Sequence, residues 1–200
     1  MRTNGAVRHG LEYSIVVVAA GVLIAGCSSK TPVGPATDVA GAIARANEMA
    51  DGNRVPDLSG CDSVEAPSGS TLAFRAFATG VQIYRWTGAT WSFVAPSATL
   101  FADAGAHGAV GIHYAGPTWE SMSGSKVVGA VSKRCTPDAN AIPWLLLRAV
   151  SADGPGIFDR VAFIQRVNTT GGIAPAQAGS VVGELASVPY TAEYFFYRAP

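Results

Sequence analysis

Short apolar stretches separated by turn-forming residues run from residue 71 to the end of the chain, and they constrain the fold more than any other feature. The predicted strands cover residues 71–78, 81–87, 91–94, 99–102, 109–115, 126–135, 144–150, 161–167 and 190–198. Strands of this length between Gly, Pro, Asn and Asp turns are typical of antiparallel sandwiches and barrels. The sequence therefore predicts an all-β domain over residues 55–200, an antiparallel β-sandwich with a β-barrel as the alternative.

Three stretches make this prediction specific. Thr79-Gly80 has the composition of a hairpin turn between the first two strands. Residues 145–147 are an unbroken run of leucine, which predicts a strand buried on both faces, with a short helix as the alternative. In the last strand, alternation predicts that two aromatic faces are covered, one carrying Tyr190, Tyr194 and Phe196 and the other Phe195 and Tyr197.

The composition excludes several functional classes. Charged residues make up 14% of the chain and sum to a net charge of zero, so we expect no nucleic-acid partner, which would require a basic face. Hydrophobic residues make up 48%, enough to bury a core. The chain carries neither a Gly-x-Gly-x-x-Gly nor a phosphate-binding loop, so we expect no nucleotide cofactor.

The first 26 residues have the pattern of a lipoprotein signal peptide. Arg2 and Arg8 precede an apolar run at residues 15–25, and Cys27 follows. Residues 23–27 (LIAGC) resemble the lipobox of bacterial lipoproteins, in which the cysteine is acylated, for example with palmitate, and the chain is cut before it. The alternative is an ordinary signal peptide with a chance cysteine.

The lipobox interpretation predicts an extracytoplasmic protein that a lipid anchor at Cys27 holds on the membrane. The residue after this cysteine is Ser28 rather than the aspartate that retains some lipoproteins at the inner membrane, so the outer membrane is favoured in a cell with two membranes. Residues 27–54 would form a tether and a short helix outside the β domain, beginning near Asp38.

Cys61 and Cys135 remain once Cys27 is assigned to lipidation. Cysteines in an oxidising compartment often pair, so a Cys61–Cys135 disulfide is a candidate. Two free thiols are the alternative, because a sequence does not fix the distance between the two Cα atoms.

Residues 111–120 (GIHYAGPTWE) form the densest group of chemically useful side chains, and the ligand-binding candidates there are His113, Tyr114, Trp119 and Glu120. Strand alternation places Ile112 with Tyr114 on one face, so we expect His113 to lie away from the obvious core face. Trp119 would either stack on a glycan beside Glu120 or cover one end of the core.

The metal-ligand candidates are His107, His113 and Asp103, with Glu120 as a further carboxylate. Their spacing matches no strong metal signature. A structural histidine bonded to a loop carbonyl is therefore the favoured interpretation of His113, and a divalent metal is the alternative. Paired carboxylates at Asp103 and Glu120 would suit glycoside hydrolysis only if the fold placed them together.

Two other polar segments have some of the residues of a functional site. Ser121, Ser123 and Ser125 are not framed by Gly-x-Ser-x-Gly, so a serine hydrolase is not expected. Residues 168–172 (NTTGG) follow Arg160 and Arg166 and have the composition of a ligand-binding turn, but the favoured interpretation is that this segment merely reverses the chain.

Five ordered motifs resemble the domain of unknown function 3455 family, which has secreted and lipoprotein members in bacteria and secreted members in fungi. They are GVQIYR at 80–85, HYAGPTWE at 113–120, IPWLLL at 142–147, IQRVNT with GG at 164–172, and VPYTAEY at 188–194. The resemblance covers residues 72–198 and implies no established activity. The family often has cysteines after the Tyr-Arg pair and after the Gly-Gly-x-Ala-Pro segment, where this chain has Trp86 and, at the second place, Ala178 and Gly179. It also often has an acid where this chain has Ser123.

These observations favour a non-catalytic surface or envelope binding module, whose ligand would be a glycan or another envelope component, such as an envelope protein. The alternative is an extracytoplasmic metal-assisted enzyme that uses His107, His113 and Glu120. No cofactor is expected apart from the metal of that alternative.

Overall fold

The computed structural model of the protein describes residues 55–200. Within them a short 3₁₀ helix, Asp62–Val64, precedes eight strands. The strands are β1 (Thr71–Trp86), β2 (Trp91–Phe101), β3 (Ala109–Tyr114), β4 (Thr118–Ser121), β5 (Lys126–Cys135), β6 (Trp144–Asp153), β7 (Val161–Gly171) and β8 (Leu185–Arg198). No helix in this part of the chain is long and apolar enough to span a membrane. The predicted signal peptide, Cys27 and the N-terminal helix lie outside the described residues.

The eight strands form one antiparallel sheet that closes on itself. Each strand pairs with its neighbour along the chain, and β8 returns to pair with β1 over most of its length, with Thr79 opposite Thr191. The predicted all-β antiparallel fold is confirmed. The closed pairing matches the β-barrel, which the sequence left as the alternative to a sandwich of two packed sheets.

The predicted hairpin at Thr79-Gly80 is wrong, because β1 runs through both residues as one strand. Gly80 lies opposite Ala98 of β2. A Cβ atom at Gly80 would lie 2.2 Å from the Ser97 carbonyl oxygen and 2.4 Å from the Ala98 Cα. The glycine is therefore needed for the close approach of a neighbouring strand and not for a turn.

The interior of the closed sheet holds the main core, and aromatic side chains fill one end of the sheet. Phe158, from the connection between β6 and β7, is fully buried there. Its ring centroid lies 4.8 Å from that of Phe196 and 6.3 Å from that of Phe74. Leu145 and Leu147 of β6 belong to the same core. Aromatic packing of this kind closes one end of the molecule.

A second apolar cluster lies on the outer face of β5–β8, where residues of the 55–70 segment cover it. Cys61 and Val64 pack there with Leu146, Phe195 and Tyr197. Cys61 is joined to Cys135 by a disulfide, with Cα atoms 5.7 Å apart. The strand predictions for residues 145–147 and for the two aromatic faces of β8 are confirmed, since each strand has buried residues in both clusters.

Candidate functional site

A cavity of about 500 Å³ lies inside the closed sheet, toward the end away from Phe158. At this end are the β1–β2, β3–β4, β5–β6 and β7–β8 connections. All eight strands contribute to the wall, which is formed by Gln82, Tyr84, Phe93, Val94, Pro96, His113, Ala115, Gly116, Pro117, Trp119, Val131, Arg134, Ile142, Pro143, Leu145, Leu147, Arg166 and Tyr194. The wall is mostly apolar, with a few polar groups among aromatic and aliphatic side chains.

His113 is buried in the wall and is held by two kinds of contact. Its imidazole stacks on Trp119 with ring centroids 4.4 Å apart and planes 12° apart. Its Nδ1 lies 2.8 Å from the Thr118 carbonyl oxygen. A carbonyl only accepts, so Nδ1 carries the proton and Nε2 keeps its lone pair in the neutral ring.

The imidazole of His113 is neutral at physiological pH. Burial lowers its pKa to about 3, and the charge of Arg166 acts in the same direction. The bond to Thr118 acts in the opposite direction without compensating for the lost hydration. His113 therefore serves the cavity as a fixed polar group and is a weak base.

The expectation that His113 lies away from the core face is wrong. His113 is 2% exposed, whereas Ile112 on the opposite face of β3 is 46% exposed. Alternation separated the two side chains correctly, but the enclosed face is the one with the histidine. The ring can be buried because Thr118 satisfies its N–H and Trp119 covers its plane.

Trp119 is 1% exposed, so it covers the core and is not an exposed platform for a glycan. Its ring meets Tyr194 edge to face, with centroids 5.4 Å apart. The β3–β4 turn before it contains a cis Gly116–Pro117 peptide bond, and Gly116 has a φ of +140°, which favours glycine. Of the two interpretations of Trp119, the structure supports the one in which it packs on the core.

Tyr114 and Glu120 lie outside the cavity wall, although they are neighbours in sequence of the residues that form it. The Tyr114 hydroxyl donates to Glu120 Oε2 at 2.6 Å, and Lys126 Nζ lies 3.6 Å from the same oxygen. The hydrogen bond from Tyr114 is the main reason why the pKa of Glu120 is lowered. The four predicted ligand-binding residues are thus divided: His113 and Trp119 line the cavity, and the other two pair outside it.

The predicted metal ligands are not brought together. His107 is 81% exposed in the β2–β3 connection, at the filled end of the sheet, and its Nδ1 lies 3.1 Å from Asp103 Oδ1. His113 lies in the cavity wall and Glu120 pairs with Tyr114. Within residues 55–200 no group of three or more His, Cys, Asp or Glu side chains is arranged to hold a metal ion.

Arg166 is the cavity residue whose role the sequence did not reveal. Its Nε and Nη2 both donate to the Pro143 carbonyl oxygen, at 3.1 and 2.8 Å. No carboxylate belongs to the cavity wall. The signal available in the sequence was alternation along β7, since Ile164 belongs to the interior core and the second residue after it faces the same way.

Several polar groups of the cavity wall are buried. The Tyr194 hydroxyl interacts with Tyr190 and Arg166, and Gln82 interacts with Tyr190, whereas Nε1 of Trp119 has no hydrogen-bond partner among the described residues. Burial raises the pKa of Tyr194, and the nearby charge of Arg166 opposes the shift. Buried polar groups are normally bonded, so the Trp119 N–H is a donor that a ligand could satisfy.

The two places where the resemblance implies cysteines, at Trp86 and beside Gly179, are adjacent in space. A Cβ atom at Gly179 would lie 2.6 Å from Trp86 Cγ and 2.8 Å from Trp86 Cβ. In this chain the indole of Trp86 occupies the space beside Gly179. The disulfide of the chain joins Cys61 and Cys135 instead.

A family model described as a protein of unknown function, DUF3455, matches residues 67–198. This span includes all eight strands and the whole cavity wall. Comparison with curated proteins and with solved structures gives no match for the chain.

Proposed function

We propose that this chain, which belongs to the DUF3455 family of proteins of unknown function, is a non-catalytic binding module that holds a small molecule in its cavity. The observation that carries the proposal is the cavity of about 500 Å³ at one end of the closed sheet. Its mostly apolar wall with a few convergent polar groups is typical of small-molecule sites. The opposite end is filled by Phe158, so a ligand would enter from the end where Ala115 and Arg134 are exposed.

The cavity residues favour binding over catalysis. His113 is the one histidine among them, and a pKa of about 3 makes it a weak proton acceptor. The wall carries no carboxylate or cysteine that would act beside it as a nucleophile or acid. The metal-assisted alternative has no supporting observation, because His107 and Glu120 have their own partners elsewhere.

We further propose that the protein is extracytoplasmic and lipid-anchored at Cys27, with the outer membrane as its site in a cell with two membranes. The lipobox-like residues 23–27 support the anchor. The Cys61–Cys135 disulfide supports an oxidising compartment. The ligand would then be a component of the cell envelope.

The anchor is tested by labelling cells with an alkyne-bearing palmitate analogue. The wild-type protein is expected to carry the label and to sediment with membranes, whereas Cys27→Ala is expected to do neither. The matched control is Ser28→Ala, which should behave as wild type. A Cys27→Ala protein that keeps the label would refute the anchor.

Binding is tested with N-phenyl-1-naphthylamine, an uncharged apolar dye whose fluorescence rises in an apolar cavity. The purified protein should bind it saturably. Ala115→Trp places a large ring at the exposed edge of the cavity and should weaken binding at least tenfold. Ala130→Trp, on an exposed position of β5 outside the cavity wall, is the control and should bind as wild type.

Equal binding by the two tryptophan variants would show that the dye does not use the cavity. Absence of saturable binding to the wild-type protein would refute a cavity for apolar ligands. Both variants change exposed alanines, so circular dichroism should show the same fold in all three proteins.

A further inference from the structure

Arg166 is an inward-facing cation without a carboxylate partner among the described residues. The ion pairs in this part of the chain join other residues, and no aspartate or glutamate lines the cavity. An arginine enclosed by apolar side chains loses hydration, which destabilises the protein unless a partner compensates. The Pro143 carbonyl replaces some of the lost hydrogen bonds to water. It is a neutral dipole, however, so the positive charge of Arg166 stays unbalanced.

The hydrogen bonds of Arg166 leave one side of its guanidinium free for a second partner. Nε and Nη2 form the fork that holds the Pro143 carbonyl. A guanidinium has five N–H donors, so the Pro143 carbonyl leaves the two on Nη1 and the outer one on Nη2, beside the Tyr194 hydroxyl with which Arg166 interacts. This end-on pair has the spacing that binds the two oxygens of a carboxylate.

Two further polar groups of the wall suit the same partner. The hydroxyl of Tyr194 and Nε2 of Gln82 are buried in the wall, where the hydroxyl interacts with Tyr190 and Arg166, and Gln82 interacts with Tyr190. Tyr194 is close enough to Arg166 for the arginine charge to act on its pKa. An anion at this point would accept hydrogen bonds from the Arg166 guanidinium, and Tyr194 and Gln82 supply polar surroundings for it.

The rest of the wall is apolar, and it determines the second part of the ligand, which we expect to be hydrocarbon. Phe93, Val94, Leu145 and Leu147 lie on it, and Trp119 with His113 forms a stacked aromatic surface. Hydrocarbon in contact with these side chains is removed from water, which favours binding. The wall has a second arginine, Arg134, but it is exposed to solvent at the entrance, so Arg166 is the one cation inside the cavity. A single inward charge matches one negative charge, which favours a carboxylate over a doubly charged phosphate.

We infer that the ligand is an amphiphilic monocarboxylate, whose carboxylate is bound by Nη1 and Nη2 of Arg166 and whose hydrocarbon body fills the apolar part of the cavity. The inference rests on the proposed function and adds the chemical class of the ligand. In the cell envelope, free fatty acids have this chemistry.

The test is displacement of N-phenyl-1-naphthylamine by three ligands with the same ten-carbon chain: decanoate, 1-decanol and decylamine. In the wild-type protein decanoate should displace the dye at a concentration at least about tenfold lower than 1-decanol, because charge-assisted hydrogen bonds add to the same apolar contact. Decylamine should be the weakest, since its ammonium would face the guanidinium. This comparison needs no variant.

Arg166→Gln should retain the dye and bind decanoate no better than 1-decanol. Arg148→Gln is the matched control, because it removes the same charge from an exposed position of β6 outside the cavity wall. It should keep the wild-type preference.

The two proposals fail in different ways. A wild-type protein that binds the dye and all three ligands without preference refutes the carboxylate inference and leaves the binding module intact. Retained preference for decanoate in Arg166→Gln also refutes the inference. A wild-type protein that does not bind the dye in its cavity refutes the binding module itself.

Discussion

The imidazole of His113 lies parallel to the indole of Trp119, with ring centroids 4.4 Å apart, and its Nδ1–H donates to the carbonyl oxygen of Thr118. Two neighbouring strands, β3 and β4, thus place a neutral histidine in the wall of a cavity. The contact places two side chains of residues 111–120, the densest group of chemically useful side chains in the sequence, inside the closed sheet.

The burial of His113 predicts a specific loss of stability in acid. The pKa of this histidine is about 3 in the folded protein, against about 6.5 in an unfolded chain. Above pH 6.5 both states are neutral and the group adds no pH dependence. As the pH falls below 6.5 only the unfolded state binds the proton, so the free energy of unfolding should fall by about 1.4 kcal/mol per pH unit.

Urea unfolding at pH 7.5 and 5.0 measures this effect when the wild-type protein is compared with His113→Gln. Between pH 7.5 and pH 5.0 the free energy of unfolding of the wild-type protein should fall by about 2 kcal/mol more than that of the variant. The comparison cancels the titration of other groups. An equal pH dependence in both proteins would show that the folded protein protonates His113 as readily as the unfolded chain.

The Cys61–Cys135 disulfide closes a loop with a sequence separation of 74 and holds residues of the 55–70 segment on β5. Replacing both cysteines by alanine should lower the free energy of unfolding by about 2–4 kcal/mol, because the unfolded chain gains conformational freedom. Denaturant unfolding with and without reducing agent measures it. Reduction should destabilise the wild-type protein and leave the double variant unchanged; equal stability of the oxidised and reduced wild type would contradict the prediction.

Gly80 is predicted to tolerate no side chain. In Gly80→Ala the new methyl group would meet the Ser97 carbonyl and the Ala98 Cα, so the strands must separate, at a cost of about 3 kcal/mol or more. Thr79→Ala, at the exposed neighbouring position of the same strand, is the control and should change stability by less than about 1 kcal/mol. Thermal unfolding distinguishes the two variants. If Gly80→Ala matched its control, the close approach of β2 to β1 would be wrong.

Trp86 and Gly179 are predicted to accept a disulfide. Cysteines at both positions would have Cβ atoms nearer than the usual 3.5–4.5 Å or so, and a small relaxation of the exposed β7–β8 connection would restore that distance. The double variant Trp86→Cys with Gly179→Cys should form the bond in air. Peptide mapping under non-reducing conditions should find both positions in one cross-linked fragment.

The single variant Trp86→Cys is the control and should have one reactive thiol more than the wild-type protein. Two reactive thiols more than the wild type in the double variant would show that the two positions are too far apart. The result tests whether these two places can be bridged in this fold.

Much of the strand content was readable from the sequence because it follows from local patterns. The alternation in residues 126–135 predicted β5 with its observed bounds, and the leucine run at 145–147 predicted a strand covered on both faces. The same reasoning separated Tyr194 and Phe196 from Phe195 and Tyr197. A pleated strand has a side-chain period of two, so the residues that share a face are determined by the chain itself.

The enclosed face and the site were decided only by the tertiary structure. Alternation separated His113 from Ile112 without showing which of them is buried, and Gly80 looked like a turn because the approach of β2 is invisible along one strand. The pairing of β8 with β1 closes the sheet, and in the closed sheet Arg166 donates to the Pro143 carbonyl at the cavity wall. These contacts join residues far apart in sequence, and their energies depend on burial and on partners that no local pattern contains.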